Sequence, residues 1–208
     1  MAGVLATQGR TLAMKKFLVF LVAAFVLVMS QGLKEVAADD DSGLSLKALA
    51  GNYSDTAQGS FALCLDPTNN FAEISCTNAK AVVFPTTVVD VGNETDDKKG
   101  NSCETYTETD SDLPPDLSPP FVAVFHTVAK TVNYDRATES GDGTFTSYSG
   151  GKCVGAGFNS SGATVNATGT YHFVVGNGGK RVDFLATSLT DPVGAIGDFS
   201  FSGTNLRQ

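Results

Sequence analysis

The two histidines are the side chains of this chain best suited to acid–base or metal chemistry, because imidazole titrates near neutral pH. His126 and His172 each lie within a run of residues that predicts a β-strand. If those strands are neighbours, the pair could bind a metal ion or transfer protons, and together with Glu73 they are the polar groups that we expect to line an interior. Neither histidine lies in a motif with metal-ligand spacing. The sequence therefore favours structural or surface roles for both.

An acidic segment at residues 92–120 is the second candidate for chemistry. It contains eight acids against Lys98 and Lys99, and it ends in two proline pairs. Its best calcium-binding subset is Asp110, Asp112 and Asp116, since Ca²⁺ takes several oxygen ligands. The segment lacks the spacing of an EF-hand, so we interpret it as a solvated, Pro-rich loop and predict no metal there. As an alternative, such a loop could contact a basic partner.

Sequence motifs of the common enzymes are absent. The pattern Gly-x-Ser-x-Gly does not occur, and Gly155-Ala-Gly157 lacks the third glycine of a dinucleotide-binding turn. We therefore predict no catalytic residue and no cofactor, and we favour a binding or structural role over an enzyme.

Four cysteines remain after the apolar N-terminal segment: Cys64, Cys76, Cys103 and Cys153. An even number in an exported chain indicates disulfides, although four cysteines allow three connectivities. We favour Cys64 with Cys76, which would close a local loop, and Cys103 with Cys153. No Cys-x-x-Cys pair is present, which disfavours a zinc site.

The N-terminal residues have the layout of a secretory signal peptide. A Lys15-Lys16 pair precedes an apolar run from residue 17 to residue 29, which is shorter than the roughly 20 residues that span a membrane. We expect residues 1–38 to be a signal peptide with an extra leader, translation starting at Met1 or Met14, and residues 39–45 to be a flexible tether. The protein is thus predicted to be secreted or periplasmic.

Net charge excludes some partners. Removing residues 1–38 takes away four basic residues and one acidic residue, so the formal net charge goes from −8 to −11. A chain this acidic is a poor ligand for nucleic acid, whose affinity comes largely from Lys and Arg. We also expect no membrane binding after cleavage.

Short strands must position these residues. A glycine, one further residue and an aromatic residue open five predicted strands, at Gly51, Gly59, Gly143, Gly169 and Gly197. Turn residues separate the strands, and β-branched residues fill them. Residues 46–208 are predicted to form a single all-β domain, an antiparallel up-and-down barrel of about eight strands that hides its edges by closure. A β-sandwich is the alternative.

The start of the domain resembles the calycin barrels, which include the lipocalin-like proteins, and loosely the allene-oxide-cyclase type. A short helical turn at residues 46–50 runs into Gly51-Asn-Tyr53 in the same way. The resemblance implies a barrel and no functional residue. We expect a scaffold or a binder of a small apolar ligand; an interaction protein using the acidic loop and a barrel isomerase or cyclase are the alternatives.

Overall fold

A computed structural model describes residues 43–111 and 121–208 and shows a closed antiparallel barrel of eight strands. The predicted fold class is therefore confirmed. The predicted signal peptide at residues 1–38 lies outside the described residues, and so does the tether up to residue 42. Asp112 and Asp116 of the calcium hypothesis lie outside them as well.

The described chain contains one short α-helix, eleven strands and two 3₁₀ helices, Pro67–Asn69 and Asn177–Gly179. Their bounds are α1 Leu46–Leu49, β1 Gly51–Asp66, β2 Ala72–Glu73, β3 Val82–Asp96, β4 Asn101–Ser111, β5 Phe121–Asp135, β6 Ser140–Ser149, β7 Lys152–Val154, β8 Gly157–Asn159, β9 Thr164–Gly176, β10 Arg181–Thr190 and β11 Ile196–Arg207. The barrel contains β1, β3, β4, β5, β6, β9, β10 and β11, each paired with its neighbours in that order. β11 closes the barrel on β1.

β1 is one continuous strand, although the glycine-x-aromatic motifs predicted separate strands opening at Gly51 and at Gly59. β3 pairs with it from Gly51 to Leu65, and β11 pairs with its other edge. Gly59 lies opposite Phe201 of β11, and a Cβ at this glycine would overlap the Phe201 ring. The glycine therefore makes room for a ring and does not turn the chain.

The glycine-aromatic motifs of β6 and β9 interlock across the strand pair. Gly143 lies opposite Tyr171, and Phe145 lies opposite Gly169. Each ring occupies space that a Cβ on the opposite glycine would need. Because β6 and β9 are antiparallel, the aromatic ring of each motif lies over the glycine of the other motif. This reciprocal contact fixes the register of the strand pair.

Helix α1 closes one end of the barrel. Leu46 and Leu49 are buried in the hydrophobic core, and the Tyr53 hydroxyl donates a hydrogen bond to the Leu49 carbonyl oxygen. The guanidinium of Arg207 donates to the carbonyl oxygens of Ala48 (2.9 Å) and Ala50 (2.7 Å). The end of β11 therefore satisfies carbonyl groups that the last turn of a helix leaves free.

Both favoured disulfides are present. Cys64 is bonded to Cys76, and Cys103 of β4 is bonded to Cys153 of the small β7–β8 hairpin. The second bond fastens this hairpin to the barrel wall beside β4. Disulfides of this kind are typical of proteins exported to an oxidising compartment.

Residues 92–111 do not form the predicted acidic loop. β3 continues to Asp96, a tight turn follows, and β4 begins at Asn101. The Asp97 carboxylate accepts hydrogen bonds from the backbone N–H groups of Lys99 (2.7 Å) and Asn101 (2.9 Å), which stabilises the turn. Threonine and valine alternate with the acids on both strands, and β-branched residues favour the pleated conformation.

Candidate functional site

Seven carboxyl side chains point into the barrel and are buried. Three strands carry them, and the set is Asp55 of β1, Asp90, Glu94 and Asp96 of β3, and Glu104, Glu108 and Asp110 of β4. Successive side chains of a strand point to opposite faces, so acids two or four residues apart share the inner face. We call this set the acidic wall.

Cross-strand register places acids of the wall side by side. Glu94 lies directly opposite Glu104, and Asp90 lies directly opposite Glu108. Facing like charges destabilise a strand pair, and an ionised carboxylate is costly to bury without a partner. These pairs are therefore compatible with the fold only if protons or cations neutralise them.

Burial accordingly raises the pKa of six carboxyls of the acidic wall: Asp55, Asp90, Glu94, Asp96, Glu104 and Asp110. Desolvation raises the pKa of Asp55 to about 7 and that of Asp110 to about 7. It also raises the pKa of Glu104 well above the usual range, and the charge of Asp55 adds to this effect. Both carboxyl oxygens of Asp55 and both of Glu104 are buried without a hydrogen-bond partner. An ionised carboxylate only accepts hydrogen bonds, so the lack of a donor favours the protonated form of these groups.

Basic side chains do not neutralise the acidic wall. Among the described residues, no Lys, Arg or His side chain is buried. Arg207, at the helix-capped end, is the basic residue whose charge acts on Asp96. The interior thus combines many hydrogen-bond acceptors with no buried cationic donor.

Neutral polar groups surround the acids. The Tyr106 hydroxyl is 2.9 Å from the Ser147 Oγ, which links β4 to β6 inside the barrel. Asn205 of β11 donates a hydrogen bond from its amide nitrogen to Glu94. Its amide oxygen, like the Thr127 hydroxyl, is buried without a hydrogen-bond partner. Unpaired buried groups of this kind cost free energy, and in native proteins they often mark binding sites or ions.

Aromatic and aliphatic side chains fill the opposite side of the interior. Phe145, Tyr171, Phe173, Phe184 and Phe201 are buried there on β6, β9, β10 and β11. The Tyr171 and Phe173 ring centres are 6.1 Å apart, as are those of Phe184 and Phe201. One half of the interior is therefore an ordinary hydrophobic core, and the other half is acidic.

The structure does not place the histidines in the interior. On β5, Phe125 and Thr127 face inward, so His126 faces outward, where its Nδ1 lies 2.9 Å from Thr105 Oγ1. His172 is exposed on β9, and its Nδ1 lies 2.8 Å from a carboxylate oxygen of Asp142. β6 separates their two strands, so the two side chains do not form a joint site.

Glu73 lies at the end of the barrel remote from α1. It sits opposite Leu65 on the short β2 strand, and its Oε1 is buried without a hydrogen-bond partner. Desolvation, with a contribution from the charge of Asp191, raises its pKa to about 8. Glu73 is thus a partly buried acid at the end of the barrel, and it is not a member of the acidic wall.

The calcium hypothesis assumed a solvated loop, but the described part of the acidic segment forms β-strands. Asp110 points into the barrel, while Asp112 and Asp116 lie outside the described residues. Within residues 43–111 and 121–208, no three Asp, Glu, His or Cys side chains converge to hold a metal ion. The same burial removes Glu94, Asp96, Glu104, Glu108 and Asp110 from the surface on which a basic partner would dock.

Two shallow grooves lie on the outer face of the barrel. One, of about 490 Å³, runs across β3, β1, β11 and β10 and includes Gln58, Val91 and Asp183. The other, of about 370 Å³, lies near the remote end beside Pro85 and Asp198. Outward-facing side chains of mixed polarity contribute to both, so neither concentrates charge as the interior does.

The acidic wall is the feature that sequence reasoning missed. Buried acids contradict the general rule that charged residues are exposed, so an acid-rich stretch is normally taken as solvated. A signal was nevertheless present. From Glu104 to Asp110 the acids and Tyr106 alternate with threonines, and a strict period of two indicates a strand whose two faces differ.

Fold and interior together define the class of protein: a disulfide-bonded, closed antiparallel β-barrel with a carboxyl-lined interior. No protein-family model, curated protein or solved structure matches the chain. In the ranges 43–111 and 121–208, no helix is long and apolar enough to cross a membrane.

Proposed function

We propose that this protein is an exported barrel that binds a small cation through its acidic wall. The observation that carries the proposal is the burial of seven inward-facing carboxyls in a described interior without a buried basic side chain. A cation would provide the neutralisation that protons must otherwise supply. The expectation of a small ligand thus remains a proposal, with a cation in place of the apolar molecule.

A predicted signal peptide and the two disulfides support secretion or a periplasmic location, where thiols are oxidised. An isomerase or cyclase stays the alternative, because carboxyls whose pKa values are raised to about 7 could also act as general acids or bases.

The test is a cation titration of the purified, dialysed protein at pH 7.5, followed by isothermal calorimetry. Binding must displace protons from carboxyls whose pKa values are raised, so the observed heat should differ between PIPES and HEPES buffers, which have different ionisation enthalpies, contain no primary amine and do not precipitate Ca²⁺. A panel of Ca²⁺, Mg²⁺ and small amines covers the candidate cations. If no cation in this panel binds at millimolar concentration, the proposed function is overturned.

Mass spectrometry of the protein purified from its native compartment under non-denaturing conditions provides a second test. A bound cationic molecule supports the proposal. A bound neutral lipophile in place of a cation would overturn it in favour of an apolar ligand.

A further inference from the structure

Two acceptor groups, on the two strands that flank β1, lack donors. Both carboxyl oxygens of Asp90 are buried without a hydrogen-bond partner, and so is the amide oxygen of Asn205. Asp90 is fully buried on β3, and Asn205 is 1% exposed on β11. Asn205 is not an acid, so the deficit of donors extends beyond the carboxyl cluster itself.

Asp55 connects these two acceptors. It lies directly opposite Asn205 on the β1–β11 pair, and its charge contributes to the raised pKa of Asp90. Their neighbours across the β1–β3 pair supply no donor side chain, because Gly92 lies opposite Asp55 and Ala57 lies opposite Asp90. Asp55, Asp90 and Asn205 therefore form a group of hydrogen-bond acceptors, and the cross-strand neighbours Gly92 and Ala57 offer them no side-chain donor.

The chemistry of this group favours an ammonium ion over a metal ion. Ca²⁺ needs six to eight converging oxygens, whereas no three acidic, His or Cys side chains of the described residues converge to hold a metal. A primary ammonium group carries three donors and one positive charge. It can satisfy separate acceptors without the compact geometry that a metal requires.

We infer that the barrel binds a small aliphatic amine whose primary ammonium group is held by Asp55, Asp90 and Asn205. This inference rests on the proposed function, whose ligand class it specifies. Glu94 and Glu104 form the next acidic pair along the wall, and Glu94 is a diagonal neighbour of Asp55 across the β1–β3 pair, about 7–8 Å away. Two separated acidic positions suit a linear amine with two or more ammonium groups.

The experiment compares four probes with the full-length exported protein at pH 7.5: 1,4-diaminobutane, n-butylamine, tetramethylammonium and Ca²⁺. Tetramethylammonium has the charge of an ammonium group but no N–H donor. We expect diaminobutane to bind most tightly, butylamine more weakly, and tetramethylammonium to give no more than the effect of ionic strength. Calorimetry and the shift in melting temperature are the two measurements.

Matched variants locate the site. Asp90→Asn and Asn205→Leu should each weaken diaminobutane binding about tenfold or more, since the first replaces an acceptor oxygen and its charge by an N–H donor and the second removes a buried acceptor. Asp198→Asn, which changes an exposed acid, should leave the affinity within about twofold. If Asn205→Leu does not fold, Asp90→Asn alone tests the assignment, because asparagine keeps the size of the side chain and cannot ionise, so the protein should still fold.

Outcomes separate the two proposals. If Ca²⁺ binds and none of the amines does, the ammonium site is wrong and cation binding by the barrel stands. If tetramethylammonium binds as well as diaminobutane, the role of the unpaired acceptors is overturned. If Asp90→Asn and Asp198→Asn behave alike, the amine binds elsewhere.

Discussion

Glu94 of β3 and Glu104 of β4 lie directly opposite each other on the inner face of the barrel, and both are buried. Ionising both carboxyls of such a buried pair costs too much free energy for the folded state. Protonation of the pair is therefore coupled to folding, and its consequences can be measured without any knowledge of the ligand.

Stability should fall as the pH rises. Burial raises the pKa of Asp55 to about 7 and that of Glu73 to about 8, whereas in the unfolded chain both lie near 4. The folded state thus holds more protons between these values, and the stabilisation present below about pH 4 is lost towards pH 8. For Asp55 alone the change is on the order of 4 kcal/mol. In buffer free of amines and divalent cations, melting followed by circular dichroism should show a higher melting temperature at pH 4.5 than at pH 8, and a steady rise from pH 4.5 to pH 8 would contradict the prediction.

Replacing one member of the facing pair should stabilise the protein at high pH. Glu104→Gln keeps the shape of the side chain and removes the charge opposite Glu94. We expect the free energy of unfolding at pH 8 to rise by about 1–3 kcal/mol, with little change at pH 4.5, as measured by urea denaturation. Asp198→Asn, at an exposed position, serves as the control and should change stability by less than about 0.5 kcal/mol at either pH. Equal effects of the two variants would show that burial of Glu104 is not the cause.

Gly143→Ala should destabilise the barrel because the new methyl group would overlap the Tyr171 phenol. Overpacking of this kind costs about 1–3 kcal/mol. Gly157→Ala adds a methyl group at an exposed position of the β7–β8 hairpin and should lie within about 0.5 kcal/mol of the wild type. Thermal or urea unfolding of the two variants provides the comparison, and a Gly143→Ala protein as stable as Gly157→Ala would refute the interlocking of β6 with β9.

The two disulfides should contribute unequally. Cys103 and Cys153 are 50 residues apart, and Cys64 and Cys76 are 12 apart. On the chain-entropy account the longer loop contributes about 4 kcal/mol and the shorter about 3 kcal/mol. Replacing each pair by serines and measuring urea unfolding should therefore give the larger loss for the Cys103–Cys153 pair; the reverse order would contradict the entropic account for this protein.

Much of the fold could be predicted from local patterns. The helical turn before Gly51 is present as α1, and the glycine-aromatic openings lie in barrel strands. Pro85, whose nitrogen cannot donate to a strand ladder, lies in β3 beyond the last described residue that pairs with β4. These features depend on residues close in sequence, for which propensity and turn chemistry are informative.

The interior could not be predicted because period-two alternation does not say which face is inside. On β5 both faces begin apolar, yet Val122 and Val124 are 61% and 56% exposed while Thr127 is buried. On β4 the acids face inward and the threonines outward, which reverses the usual rule. The choice of face is made by barrel closure, a long-range property that no short window of sequence contains.

That closure also makes the burial of the carboxyls depend on pairing between two strands far apart in the chain. β1 has β3 on one edge, and β11 on the other edge closes the barrel. A sheet without this pairing would leave the carboxyls of β3 and β4 accessible to water. The pairing of β11 with β1 therefore closes the barrel interior. The protons or cations that neutralise the carboxyls are enclosed in the same step.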